Sequence, residues 1–139
     1  MEKANVLFLC TGNSARSQMA EALLRAHAGE RFEAFSAGLD PVDVHPMAIA
    51  SMAEIGIDIG AQRSKSLTEY LGRRHFGYLI TVCDHAAANC PIFPGVGTRL
   101  HWSLIDPAAA EGSDEERLEV FRRVRDGLKH LIEEFAAAH

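Results

Sequence analysis

The stretch Asn5-Val6-Leu7-Phe8-Leu9-Cys10-Thr11-Gly12-Asn13-Ser14-Ala15-Arg16-Ser17 decides the fold. Its apolar run Val6 to Leu9 reads as a strand buried on both faces, and the segment after Ser14 has helical character. A strand that passes through a short polar loop into a helix delivers Cys10 to the carboxyl edge of a parallel sheet. There the backbone N–H groups of Thr11, Gly12, Asn13, Ser14 and Ala15, with the start of the helix, can converge on a tetrahedral anion. The same positive field favours a thiolate at Cys10, and Arg16 would grip two of the anion's oxygens at once. Gly12 admits close approach of the backbone, Asn13 tolerates a left-handed conformation, and Ser14 and Ser17 add hydroxyls. A cysteine six residues before an arginine says little by itself; the preceding strand and the loop composition give it force. The plainer alternative is a buried core cysteine ahead of an ordinary capped helix.

Short apolar runs alternate with amphipathic or Ala-rich segments through the rest of the chain, which predicts a mostly parallel α/β sheet. Four strands are expected, near Asn5 to Leu9, Phe32 to Ser36, Tyr78 to Val82 and Arg99 to Trp102. The first helix is expected from Ser14 to Ala28, with Met19, Leu23 and Ala26 inward and Gly29 as its stop. A second starts near Pro46 and ends before Gly56. Ser113-Asp114-Glu115-Glu116 is a capping box, and Phe121, Val124, Leu128, Leu131 and Phe135 keep the three-four spacing of a helix that covers a sheet. The segment Cys90 to Gly97 is rich in proline and glycine and is expected to be an irregular loop.

At 139 residues, 47% hydrophobic and 24% charged, the chain suits one domain, residues 1–139, around a single core. The 19 acidic residues outnumber the 14 basic ones for a net charge of −5, so the sequence offers no basic footprint for nucleic acid or an anionic membrane. Met1-Glu2-Lys3 leads straight into a strand without the pattern of a secretory leader, and no segment reads as membrane-spanning. These features predict a cytoplasmic protein. Its three cysteines then sit in a reducing compartment, where a disulfide is more often a catalytic step than a structural staple.

Cys83 ends the third predicted strand and Cys90 follows seven residues later. A parallel sheet brings Cys10 and Cys83 to the same edge, so one thiol could attack an intermediate held on the other. If the segment from Cys83 to Cys90 is helical, its Cα atoms stand about 10.5 Å apart, whereas a disulfide needs less than about 7 Å. A bond there requires unwinding, which the Pro/Gly-rich continuation would permit. Two plainer readings stay open: both cysteines as small apolar packing residues, and a metal site from Cys83, His85 and Cys90, which lacks paired spacing and a fourth ligand. The remaining histidines, His27, His45, His75, His101, His130 and His139, show no ligand spacing and read as surface or loop residues. Asp106-Pro107 is a common turn dipeptide; if its stiffened loop faces the anion pocket, the Asp106 carboxyl could protonate a departing oxygen.

Taken together these residues resemble a family, the thioredoxin-coupled arsenate reductases built on the low-molecular-weight protein tyrosine phosphatase fold. The resemblance runs through Val6 to Ser17, Ser36-Ala37-Gly38, Gly56-Ile57-Asp58-Ile59, Thr81-Val82-Cys83 with Cys90-Pro91, and His101-Trp102 with Asp106-Pro107. It implies a three-layer, flavodoxin-like domain with a four-stranded parallel sheet of order 2-1-3-4 flanked by helices, acting as a monomer. It further implies reduction of arsenate to arsenite for arsenical resistance, with no tightly bound cofactor or metal and with thioredoxin as electron donor. Cys10 would attack arsenate held by Arg16 and the loop residues Thr11 to Ser17, while Asp106 protonates the leaving water. A Cys10–Cys83 disulfide and then a Cys83–Cys90 disulfide would follow. Some relatives bind potassium through Asn13, Glu21 and an acidic residue near position 65; here Lys65 would replace that ion by pairing with Glu21. The strongest rival is a phosphatase that hydrolyses phosphoesters through a cysteinyl phosphate. Such an enzyme needs neither Cys83 nor Cys90, and Ala108 stands where a tyrosine-specific acid loop would carry Tyr. A non-enzymatic thiol sensor or arsenite-binding protein would leave Arg16 and Asp106 idle.

Overall fold

Strand β1 (Ala4–Cys10) runs through the middle of the sheet, and Val6, Leu7, Phe8 and Leu9 are wholly buried, as a strand covered on both faces must be. A computed structural model describes residues 3–90 and 95–139. β1 pairs in parallel with β2 (Phe32–Gly38) on one side and β3 (Phe76–Thr81) on the other, and β4 (Val96–His101) pairs in parallel with β3. The order is therefore β2-β1-β3-β4, as the family resemblance implies. Helices α1 (Arg16–Ala28), α2 (Pro46–Ala53), α3 (Asp84–Asn89) and α4 (Asp114–Ala138) fill the connections and the carboxyl terminus. Among the described residues no helix is long and apolar enough to cross a membrane.

The capping box forms as read: Ser113 Oγ accepts from the Glu116 amide, and the Glu116 carboxylate accepts from the Ser113 amide. Behind it Phe121, Val124, Leu128 and Phe135 are buried, each large apolar side chain contributing about 1.5–3 kcal/mol. Ile132 takes the place expected of Leu131, which is only half-buried, because the buried stripe drifts by one residue over the last turns of a straight helix. Arg125, itself buried, donates to the Ser51 carbonyl at 2.8 Å and to Glu54 at 3.0 Å, and Arg122 adds a second link to Glu54, so α4 holds the end of α2.

Other boundaries depart from the sequence reading. α1 begins at Arg16, because Ser14 and Ala15 remain in the loop, with Ser14 Oγ donating to the Asp43 carbonyl. Ala26 is exposed; the buried face of α1 runs instead through Met19, Ala20, Leu23, Leu24 and Ala28. β4 starts at Val96, so Val96 and Gly97 are strand and not loop. Gly97 permits this: a Cβ there would stand 2.9 Å from the Gly77 carbonyl oxygen of β3. The rest of the expected loop, residues 91–94, lies outside the described residues.

Candidate active site

The parallel register carries both thiol-bearing strand ends to one edge. Leu9 pairs with Thr81, and the Val82 amide donates to the Leu9 carbonyl, so Cys10 and Cys83 leave the sheet side by side. Both are buried, and the Thr11 hydroxyl lies 3.4 Å from Cys83 Sγ, linking the anion loop to the second thiol. Cys83 caps α3, its sulfur accepting from the Ala86 amide at 3.4 Å; Cys90 closes the same helix.

Around Cys10 the proton assignments follow from one another. Among the described residues Asn13 is the non-glycine residue with positive φ, at 48°, and this turns its amide toward Cys10 Sγ, 3.1 Å away. Its Oδ1 accepts from the Lys65 backbone amide at 2.8 Å, which fixes Nδ2 as a donor; Nδ2 gives its hydrogen bond to Ser17 Oγ, also at 2.8 Å. The Ser17 hydroxyl hydrogen is then free for Cys10 Sγ, 2.8 Å from its oxygen, and a thiolate there could only accept it. Two donors thus converge on the sulfur. Gln18, wholly buried, and Ser64 brace Asn13 from behind: Gln18 Nε2 donates to Asn13 Oδ1 and to the Arg63 carbonyl, and Ser64 Oγ donates to the Asn13 carbonyl. Gly38, at the end of β2, is needed for this packing, since a Cβ there would meet the Thr11 carbonyl oxygen at 2.7 Å and the Asn13 nitrogen at 2.8 Å.

Ala15 offers no capping side chain to α1, which leaves the helix's first N–H groups for an anion. The cleft of about 340 Å³ beside them is lined by Cys10, Thr11, Gly12, Ser14, Arg16 and Asp106, among others. Arg16 Nη1 donates to the Leu104 carbonyl at 3.0 Å and Nη2 lies 3.9 Å from Asp106 Oδ1, so the guanidinium anchors the loop of Asp106 at the mouth. Asp106 also caps the short turn Pro107–Ala109 by accepting from the Ala108 amide. Every anion-loop residue named from sequence, with Arg16 and Asp106, meets at this cleft or directly behind it. Cys90 stands apart from it, at the far end of α3. Among the described residues no group of three or more His, Cys, Asp or Glu is arranged to hold a metal.

Residues 5–138 match the low molecular weight phosphotyrosine protein phosphatase family. The chain belongs to that family. One relative, the arsenate reductase of Halalkalibacterium halodurans, is 46% identical over 98% of this chain and 97% of its own length. A solved structure of an arsenate reductase in oxidized state aligns with a TM-score of 0.82 at 33% identity, covering 96% of this chain and 97% of that one. The thioredoxin-dependent arsenate reductase of Corynebacterium glutamicum aligns at 27% identity and a TM-score of 0.70, over 99% of this chain and 64% of that one.

Two histidines read from sequence as surface or loop residues have defined work in this member of the family. His101 bridges Thr81 and Asp84, and His45 lines the cleft. His45 Nδ1 accepts from the Met47 amide as the N-cap of α2, and the ring packs on Phe121, 4.7 Å between centroids. The signal was present in Pro46: the residue before a first-turn proline is the cap. Burial and the nearby Arg117 hold His45 below its ordinary 6.5, against the opposing pull of Asp106. Because the folded form disfavours the imidazolium, the unfolded chain takes up the proton first as pH falls. His45's contribution is whole above 6.5 and is lost as pH drops through the depressed value. Urea midpoints of the parent should therefore fall more between about pH 7.5 and 5 than those of His45→Asn, whose side chain caps without titrating; parallel profiles would contradict this.

Proposed function

We infer that this chain reduces arsenate to arsenite with three thiols in sequence. The observation that carries the reading is the 3.4 Å contact between the Thr11 hydroxyl and Cys83 Sγ, which sets a second buried thiol against the anion loop where a phosphatase needs none. Arsenate in the cleft is held by the loop amides and Arg16. The Cys10 thiolate, supported by the Asn13 amide and the Ser17 hydroxyl, attacks arsenic, and Asp106 protonates the oxygen that leaves as water. Cys83 then attacks Cys10 Sγ; the S–As bond breaks, its electron pair goes to arsenic, arsenite departs and a Cys10–Cys83 disulfide remains. Cys90 attacks Cys83, Cys10 leaves as a thiolate, and the Cys83–Cys90 disulfide forms. This last bond requires α3 to unwind, since its ends are about 10.5 Å apart when helical. Thioredoxin supplies the two electrons that restore the thiols.

The test is arsenate turnover with thioredoxin, thioredoxin reductase and NADPH. Sustained NADPH oxidation dependent on arsenate supports the reading; faster turnover with glutaredoxin and glutathione overturns the choice of donor.

Lys65 replaces a potassium ion in this scheme. It is buried, with Nζ donating to the Arg63 carbonyl at 2.9 Å and lying 3.7 Å from Glu21 Oε1. Burial pushes its ammonium below the ordinary 10.5, and Glu21 pulls it back up. With a fixed cation beside Glu21, exchanging sodium for potassium should change kcat and KM by less than about twofold. Strong potassium activation would contradict the replacement.

A further inference from the structure

One face of β4 meets both ends of α3. Residues two apart on a strand share a face and stand about 6.7 Å apart, which groups Arg99 with His101, opposite Leu79 and Thr81 of β3. His101 shows what that face touches: Nδ1 lies 2.8 Å from Thr81 Oγ1 and Nε2 lies 2.9 Å from Asp84 Oδ1. Asp84 is the first residue of α3, next to Cys83, and Ser103 Oγ donates to the same carboxylate oxygen at 3.0 Å. Six residues further along, about 9 Å of helix rise away, Cys90 ends α3. It lines a cavity of about 240 Å³ together with Arg99, His101, Thr81, Ala87 and Leu100. This cavity shares no lining residue with the anion cleft.

We propose that Arg99 is the positioning residue for the third thiol: its guanidinium faces Cys90 at the end of α3 and favours the thiolate that attacks Cys83 once α3 unwinds. The proposal rests on the three-thiol reading and adds to it the group that serves its last internal step. In that step the Cys90 proton passes to water in the open cavity, the Cys90–Cys83 bond forms, the Cys83–Cys10 bond breaks and Cys10 leaves as a thiolate. Burial is the larger influence and leaves the Cys90 thiol above its ordinary value, while the charge of Arg99 and its hydrogen bond pull in the opposite direction, so removing Arg99 leaves burial unopposed. The other charged groups around α3 do not take this role. His101 and Asp84 face each other, and the His85 ring lies 3.3 Å from Asn89 Nδ2. Arg99 is exposed on an edge strand, so replacing it leaves the core untouched.

The experiment follows Cys90 directly. In a Cys10→Ser/Cys83→Ser background Cys90 is the remaining thiol, and its iodoacetamide alkylation is measured from about pH 6 to 10. Adding Arg99→Gln should slow alkylation at neutral pH by about tenfold and move the midpoint of the profile upward, Arg99→Lys should restore most of the rate, and salt should narrow the difference. In the otherwise intact protein, Arg99→Gln should leave the weak side hydrolysis of aryl phosphates expected of the Cys10 loop, read with p-nitrophenyl phosphate, unchanged while the Cys10–Cys83 disulfide persists longer after a single turnover. Coincident alkylation profiles with and without the Arg99→Gln change overturn the proposal even if turnover is intact. A Cys90→Ser enzyme that turns over like the parent overturns the relay instead.

Discussion

Replacing Cys83 by serine is expected to lower thioredoxin-coupled arsenate turnover by at least about a thousandfold while leaving p-nitrophenyl phosphate hydrolysis within about twofold of the parent. On the proposed mechanism the two reactions would share Cys10, Arg16 and Asp106 and part after the first covalent bond. Water resolves a cysteinyl phosphate, whereas arsenite departs only when a sulfur nucleophile attacks Cys10. A serine hydroxyl cannot do so, yet it is small enough to keep the Thr11 contact and the cap on α3, so the anion loop stays in place. Parallel assays of the two reactions on one preparation give the answer. Equal loss of both would mean that Cys83 supports the loop and is no nucleophile.

Arg16→Lys should instead lower both reactions together, by about 10²–10³-fold in kcat/KM. The guanidinium has a planar fork for two oxygens of a tetrahedral anion, and a further donor, on Nη1, already holds the Leu104 carbonyl at 3.0 Å, keeping the loop of Asp106 over the cleft. A lysine offers one point of attachment and releases that loop. Inorganic phosphate inhibition should weaken in step, read as a rise in Ki. A variant that loses arsenate reduction but keeps ester hydrolysis would contradict the shared clamp.

The part of this site that lies within one continuous segment was legible in the sequence. A buried strand, a polar loop and a helix start place Cys10 and Arg16 by chain connectivity alone, and the periodicity of α4 placed Phe121 and Leu128 in the core. What escaped depends on neighbours distant in sequence. Gln18 reads as an ordinary helix residue, yet it is wholly buried because Asn13 and Arg63 close over it. His101 and Asp84 meet only because β3 and β4 pair in one register. Arg99 gains its interest only from the end of α3 beside it. Val96 and Gly97 joined β4 because Gly97 has no Cβ to strike the Gly77 carbonyl of β3, a contact that only the pairing of the two strands creates.

Mapping the disulfides after one turnover tests the relay most directly. Fully reduced protein is mixed with one equivalent of arsenate without thioredoxin, quenched with an alkylating reagent and analysed by peptide mass spectrometry. The relay predicts a Cys83–Cys90 disulfide with Cys10 alkylated in the parent, and a Cys10–Cys83 disulfide in Cys90→Ser. Recovery of three alkylated cysteines from the parent, with arsenite formed, would contradict it.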